Sequence, residues 1–120
     1  MHKRQLQERI KRFAIATVRF ADLLPNASGF RTVKSQIIRS GPSCAANYRS
    51  ACRAKSAKDF IYKLSNVEEE LDETLFWLEF TVGLSEDYRA EIKKLWIEGD
   101  ELLAIIVSSI KTAKREGKVE

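Results

Sequence analysis

The sequence has few of the residues that catalytic and metal sites require. It contains one histidine, His2, two cysteines, and no glycine-rich phosphate loop. A hydrolytic triad needs a base beside its nucleophile, and His2 lies in a terminus that we expect to be mobile. Zinc sites need clustered Cys and His, and di-iron sites in helical bundles need Glu-x-x-His on two helices. The sequence therefore predicts a protein that is not an enzyme and holds no metal ion or cofactor.

The sequence also has little that would place it outside the cytoplasm. Its longest strongly apolar run, 102–107, is far short of the ~20 residues that a membrane span needs. The N-terminal segment is charged and lacks the apolar region of a secretory signal. Cys44 and Cys52 lie eight residues apart on one predicted helix, ~12 Å at 1.5 Å per residue, which is too far for a disulfide. We expect free thiols, a cytoplasmic location and no membrane partner.

Glycine and proline are scarce, with five and two residues, and the apolar residues recur at helical spacing. This periodicity predicts an all-α antiparallel up-down four-helix bundle that forms one domain, 1–120. Pro25 separates the first two helices, Gly83 is the expected C-terminal cap of the third, and Ser85 is the expected N-cap of the fourth. The predicted helices span about 3–24, 29–54, 57–82 and 86–116.

A Gly41-Pro42 step falls inside the second predicted helix, where we expect a kink or a local opening. Around it, four polar residues share one flank: Gln36, Ser40, Ser43 and Asn47. They could form a small groove for a ligand. They could instead satisfy backbone groups freed by the kink and let a neighbouring helix approach closely. We favour this second interpretation.

Some apolar residues lie outside the core stripes of the helical wheels, where a monomer would leave them exposed. Isolated exposed apolar residues are normal in monomers. Phe76 and Phe80 exceed that pattern because they stand one turn apart, and we therefore expect self-association. The predicted interface residues are Ile15, Tyr62, Phe76, Phe80, Ile97 and Ile105.

Charge divides the chain into two parts. Residues 1–63 hold 14 Lys/Arg and 3 Asp/Glu, whereas residues 64–120 hold 7 and 14. The cations of the first part could bind the phosphates of RNA or DNA, which would make binding sensitive to salt. They could instead pair with the acidic third helix, within or between subunits. The candidate nucleic-acid-binding residues are Arg4, Lys11, Arg12, Arg19, Arg31, Arg39, Arg49, Arg53, Lys55 and Lys58.

The segment 36–80 carries a family resemblance. It contains Gln36-x-x-Arg39-Ser40-x-x-Ser43, then Asn47, then Ser56-x-x-Asp59-Phe60-x-x-Lys63-Leu64 and, after a Glu-rich stretch, Trp77-Leu78-Glu79. This pattern resembles the four-helix-bundle family of 23S rRNA-intervening-sequence proteins, which are small bacterial proteins. A related branch contains the accessory variability determinant of diversity-generating retroelements, which works with a reverse transcriptase and nucleic acid.

The resemblance implies a four-helix protomer, a ring-like homo-oligomer, most plainly a homopentamer, and contact with RNA or DNA, with a reverse transcriptase or another protein as a further partner. The chain departs from the family pattern after Asn47. Many members have a hydrophobic-Ala-Glu-Gly sequence there, whereas this chain has a more basic segment, 48–53, without the acidic residue. The sequence thus predicts a non-enzymatic oligomer that binds nucleic acid through its first two helices. The alternative is a structural or adaptor oligomer that binds a protein.

Overall fold

The computed structural model describes residues 1–119 and the side chains of residues 1–117, and all of its regular structure is helical. Four α-helices follow one another, with a short 3₁₀ turn, Glu86–Tyr88, before the last. The described residues contain no strand. The predicted all-α class with four helices is therefore confirmed. The helices are α1 (Lys3–Ala21), α2 (Ser28–Ala51), α3 (Ala57–Leu84) and α4 (Arg89–Val119).

The helix ends differ from the predicted ones by a few residues, and backbone hydrogen bonds give the reason. After α1 and α2 the chain tightens into i→i−3 bonds, from Leu24 N–H to Ala21 C=O and from Ala54 N–H to Ala51 C=O. Both helices therefore end three residues earlier than predicted, at residues 21 and 51. The prediction that Gly83 caps α3 is wrong, because α3 continues through it to residue 84.

Serine hydroxyls cap the start of α3 and the start of the 3₁₀ turn that follows it. Ser56 Oγ accepts the N–H of Asp59 at 3.0 Å, and the Asp59 carboxylate accepts the N–H of Lys55 at 3.2 Å. The bond from the Lys55 N–H, together with the bond from the Lys63 ammonium, holds the pKa of Asp59 below its usual range. At the other end, Ser85 Oγ accepts the N–H of Asp87 at 3.1 Å, so the 3₁₀ turn replaces the predicted first turn of the fourth helix.

The core consists of two clusters along the long axis of a molecule measuring 52 × 21 × 20 Å. One cluster includes Ile10, Leu64 and Leu102, and the other includes Ile37 and Leu78. Each helix packs extensively on the next in the chain, whereas α1 and α4 make a narrower contact. The apolar stripes predicted from the helical period thus supply most of the core.

Gly41 permits a close approach of α1 to α2. A Cβ atom at position 41 would lie 2.2 Å from Thr17 Oγ1, which is shorter than any real contact. Thr17 is fully buried and donates to the Ala14 carbonyl at 2.7 Å. The helix runs through Pro42 without interruption, so the expected local opening is absent. The close-approach interpretation of the Gly-Pro step is the one that the packing supports.

The polar flank of α2 is occupied by contacts within the protein. Thr74 Oγ1 donates to the buried Ser40 Oγ at 2.8 Å, and Asn47 Nδ2 donates to Ser43 Oγ at 2.9 Å. Gln36 Oε1 accepts from the Arg39 side chain at 3.3 Å. These side chains join α2 to α3 and to one another, which favours a structural role over a ligand groove.

Candidate nucleic-acid interface and self-association surfaces

All ten cations predicted to bind nucleic acid are exposed on the surface of the protein. They lie on α1, on α2, in the loop between α2 and α3, and in the first turn of α3. For the eight on helices, exposure follows from the helical period, since each falls outside the buried stripe of its helix, whereas Arg53 and Lys55 are exposed in the loop. We refer to these ten residues as the basic surface.

Arg39 is the member of the basic surface that pairs with the acidic helix α3. Its guanidinium contacts the carboxylates of Glu70, at 3.1 Å, and Glu73. Glu73 also accepts the indole N–H of Trp77 at 3.3 Å. The hydrogen bond that Arg39 donates to the Glu73 carboxylate is the main cause that raises the pKa of Arg39 above its ordinary value. Arg39 therefore serves the contact between α2 and α3.

The other nine cations of the basic surface have no carboxylate oxygen within 4 Å among residues 1–117. The sequence left open whether these charges pair with α3 or face a partner. Among residues 1–117 of one copy, Arg39 is the one cation of the basic surface that pairs with a carboxylate of α3. Nine cations without an ion pair in the described residues thus remain on the surface, available to phosphates or to a neighbouring copy.

Arg9, which the sequence patterns did not single out, joins α1 to α4. Its guanidinium binds both carboxylate oxygens of Glu98, at 2.7 and 2.8 Å, and reaches Glu101 at 3.1 Å. These bonds raise the pKa of Arg9 and lower that of Glu98. The sequence offered a weak signal, because Arg9 stands one residue before Ile10 in the core stripe and so borders the interior.

A shallow apolar groove of about 420 Å³ lies between the exposed sides of α1 and α2. The cations Lys11 and Arg19 stand at its edge, and Ile15 between them is 43% exposed. We call this feature the α1/α2 groove. Its lining residues are Lys11, Ala14, Ile15, Val18, Arg19, Pro42 and Ala45.

The outer face of α3 carries an exposed aromatic cluster, which we call the aromatic stripe: Phe76, Trp77 and Phe80. The ring of Trp77 lies 4.9 Å from that of Phe76 and 5.3 Å from that of Phe80, both edge-on. Trp77 is half-buried against the core, whereas Phe76 and Phe80 remain 51% and 42% exposed. The stripe therefore exposes the rings of Phe76 and Phe80, and the half-buried ring of Trp77 packs against both.

The remaining residues of the predicted interface are spread over α1, α3 and α4. Tyr62 and Ile97 are exposed, at 65% and 54%. Ile105 is partly buried because it packs against the core cluster of its own copy. Leu23 and Ile38 are also exposed but were not predicted, because each is adjacent in the sequence to a core residue, Leu24 and Ile37 respectively.

The described residues offer no clear chemical centre. No group of three His, Cys, Asp or Glu side chains among them could hold a metal ion. The Cys44 thiol is buried, which raises its pKa to about 12 and keeps it protonated at neutral pH. Across residues 1–119 there is no helix long and apolar enough to cross a membrane.

The fold and surfaces define a small all-helical protein with four helices and two contrasting outer faces. No family model and no curated protein matches the chain. Among solved structures it resembles a protein of unknown function from Bacteroides thetaiotaomicron VPI-5482, assigned to the S23 ribosomal protein family, with a TM-score of 0.81 and 31% identity. The match covers 88% of this chain and 98% of the other.

This chain therefore belongs to the S23 ribosomal protein family. That family is related to the 23S rRNA-intervening-sequence family that the sequence resembles, but it is not the same family. The resemblance drawn from the sequence is thus confirmed at the level of a related family of helical proteins.

Proposed function

We propose that this protein is a non-enzymatic, self-assembling four-helix protein of the bacterial cytoplasm that binds RNA or DNA through the basic surface. One observation carries the proposal: nine exposed cations on α1, α2 and the start of α3 have no carboxylate partner among residues 1–117. Exposed cations without a carboxylate partner attract the phosphate backbone and release its counterions. The few aromatic residues exposed near these cations favour backbone contact over recognition of single-stranded bases.

The assembly that we propose is a ring-like homopentamer of up-down bundles. Contacts between consecutive helices support the antiparallel direction: α3 residue Glu79 meets Trp96 of α4, and the earlier Leu75 lies near the later Gly99. Exposed Phe76 and Phe80 support self-association. The number five rests on the family resemblance, which also suggests a reverse transcriptase or another protein as a further partner.

Charge reversal within the basic surface tests nucleic-acid binding. The Arg49→Glu, Arg53→Glu variant should bind a labelled RNA or DNA duplex at least about tenfold more weakly in fluorescence anisotropy. The slope of log K against log salt should fall by about 0.9 for each phosphate that the variant no longer neutralises. Helicity measured by circular dichroism should not change, since both side chains are exposed.

The matched control is Lys93→Glu, Lys94→Glu, which makes the same change in net charge at exposed positions on α4. This control should retain most of the affinity and the salt slope of the wild type. Equal reductions in affinity for both variants would mean that net charge alone attracts the nucleic acid. Binding unchanged by reversal at Arg49 and Arg53 would remove those residues from the interface.

A second function is favoured by the aromatic stripe, which is exposed beside the acidic residues of α3. In this alternative the protein is a structural or adaptor oligomer that binds a protein partner and has no role with nucleic acid. Size exclusion with light scattering and a 260/280 absorbance ratio separates the two. Nucleic acid that leaves the oligomer at high salt supports the first function, and a clean oligomer at low salt supports the second.

A further inference from the structure

The α1/α2 groove lies in the basic part of the chain and the aromatic stripe lies in the acidic part, and these two surfaces have complementary chemistry. The α1/α2 groove has an apolar floor between Lys11 and Arg19, and nothing in one copy fills it. The aromatic stripe projects apolar rings from α3, the most acidic helix, with seven Asp/Glu and two Lys. One surface is concave and basic at its edge, and the other is convex and acidic.

The spacing of the charges also matches. Lys11 and Arg19 stand one turn before and after Ile15 and are separated by ~12 Å along α1. Asp72 and Glu79 stand about one turn before and after Phe76 and are separated by ~10 Å along α3. All four of these charged residues are exposed, and none forms an ion pair within residues 1–117.

From this match we infer that the aromatic stripe of one copy docks in the α1/α2 groove of the next copy, with Asp72 and Glu79 facing Lys11 and Arg19. The occupant of the groove is thus a second copy of this chain. Desolvated aromatic residues at the centre of a contact supply most of its affinity, and the flanking charges set its orientation. This inference rests on the proposed self-assembly and specifies its two surfaces. Lys11 and Arg19 then face the neighbouring copy, and the other seven cations of the basic surface that lack an ion pair among residues 1–117 remain for nucleic acid.

Such a contact joins two different surfaces and is therefore head-to-tail. Each copy uses its stripe towards one neighbour and its groove towards the other, so that repetition closes into a ring or extends into a filament. A contact between two α3 helices would instead join a surface to itself and stop at a dimer. The head-to-tail contact and the α3–α3 contact predict different oligomers when one of the two surfaces is disabled by substitution.

The test therefore mixes two variants that each lack one surface. Ile15→Asp disables the groove and Phe76→Asp disables the stripe, both at exposed positions where the fold should persist. We expect each variant alone to be monomeric in size exclusion with light scattering, with a dissociation constant raised at least about thirtyfold. An equimolar mixture should form a heterodimer of twice the 13.7 kDa protomer mass, through the one intact groove and the one intact stripe.

The matched control is Leu23→Asp, an exposed apolar residue outside both surfaces, which should assemble as the wild type does. Reversal of the charges gives a second test that does not touch the apolar contact. The Lys11→Glu, Arg19→Glu variant and the Asp72→Lys, Glu79→Lys variant should each assemble poorly. A chain that carries all four substitutions should assemble again, because a stripe with two cations then meets a groove with two carboxylates.

The outcomes separate this inference from the proposed function. If the wild type is a monomer, self-assembly itself is wrong. If the wild type assembles but Ile15→Asp assembles equally well, or the mixture yields only monomers, the docking of stripe into groove is overturned. Arg49→Glu, Arg53→Glu lies outside both surfaces, so it should assemble normally while its affinity for nucleic acid falls.

Discussion

Substitution of Gly41 by alanine tests the closest helix contact in the protein. Alanine inside a helix is favoured over glycine by about 1 kcal/mol. The new Cβ would stand 2.2 Å from Thr17 Oγ1 and 3.3 Å from Thr17 Cβ. Overpacking of a filled core usually costs about 1–3 kcal/mol, and a contact this short belongs in the upper part of that range. We therefore expect Gly41→Ala to lower the free energy of unfolding by about 1–2 kcal/mol.

The partner residue provides the decisive comparison. Thr17→Ala removes the hydroxyl that the new methyl group would strike, so Gly41→Ala should be neutral or stabilising by up to about 1 kcal/mol in that background. The double-mutant cycle should then give a coupling free energy of about 2 kcal/mol between positions 17 and 41. Urea denaturation followed by circular dichroism at 222 nm measures all four proteins.

Gly83 is the matched control, because a Cβ atom there would meet no atom within 4 Å. Gly83→Ala should stabilise the protein by about 0.5 kcal/mol through helix propensity alone. A fall of about 5 °C in the melting temperature of Gly41→Ala, with a small rise for Gly83→Ala, is the expected pattern. If both substitutions stabilise the protein equally, α1 and α2 do not approach closely at Gly41 and the reasoning is refuted.

Three further outcomes follow from the packing and the ion pairs. A thiol reagent should label half-buried Cys52 in the native protein and reach buried Cys44 only in denaturant; equal rates would contradict the burial. Arg9 holds the pKa of Glu98 below its ordinary 4.5, so that stabilisation is present above this pH and is lost as the pH falls below it. Glu98→Gln should therefore lower the free energy of unfolding by about 0.5 kcal/mol at pH 7, a small value because the ion pair is partly exposed. In strong acid, chemical denaturation should show no difference between the variant and the wild type. Gly99→Ala, whose Cβ would lie 2.8 and 2.9 Å from side chains of α3 and α1, should lower the melting temperature by several degrees.

The sequence was most informative where helical period and capping act together. The apolar repeat predicted all four helices, and the Ser56 hydroxyl accepts the Asp59 N–H as the capping pattern required. The prediction for Gly83 was wrong because a glycine near a helix end is also compatible with a continued helix. Ser85, two residues later, provides the hydroxyl that caps the next turn, and this decides where the chain turns.

The surfaces were harder to predict because the helical wheel describes one helix at a time. The wheel identified Arg39 as exposed, but not that Glu70 and Glu73 on the next helix would neutralise it. It placed Ile105 outward, although packing against the core cluster covers most of its surface. The α1/α2 groove depends on how deeply two helices meet, which is set by Gly41 and is not visible in either sequence pattern alone.

The order in which the helices pack has a consequence for folding kinetics. Each helix packs most extensively on its neighbour in the chain, with the contact between α1 and α4 the weakest. Loop closure between consecutive helices costs little entropy, and helical proteins rich in such local contacts fold in about microseconds to milliseconds. Folding of a copy should thus be complete long before it meets a second copy in the cell. Assembly would then select among finished surfaces, and a variant with a damaged surface would accumulate as a folded monomer.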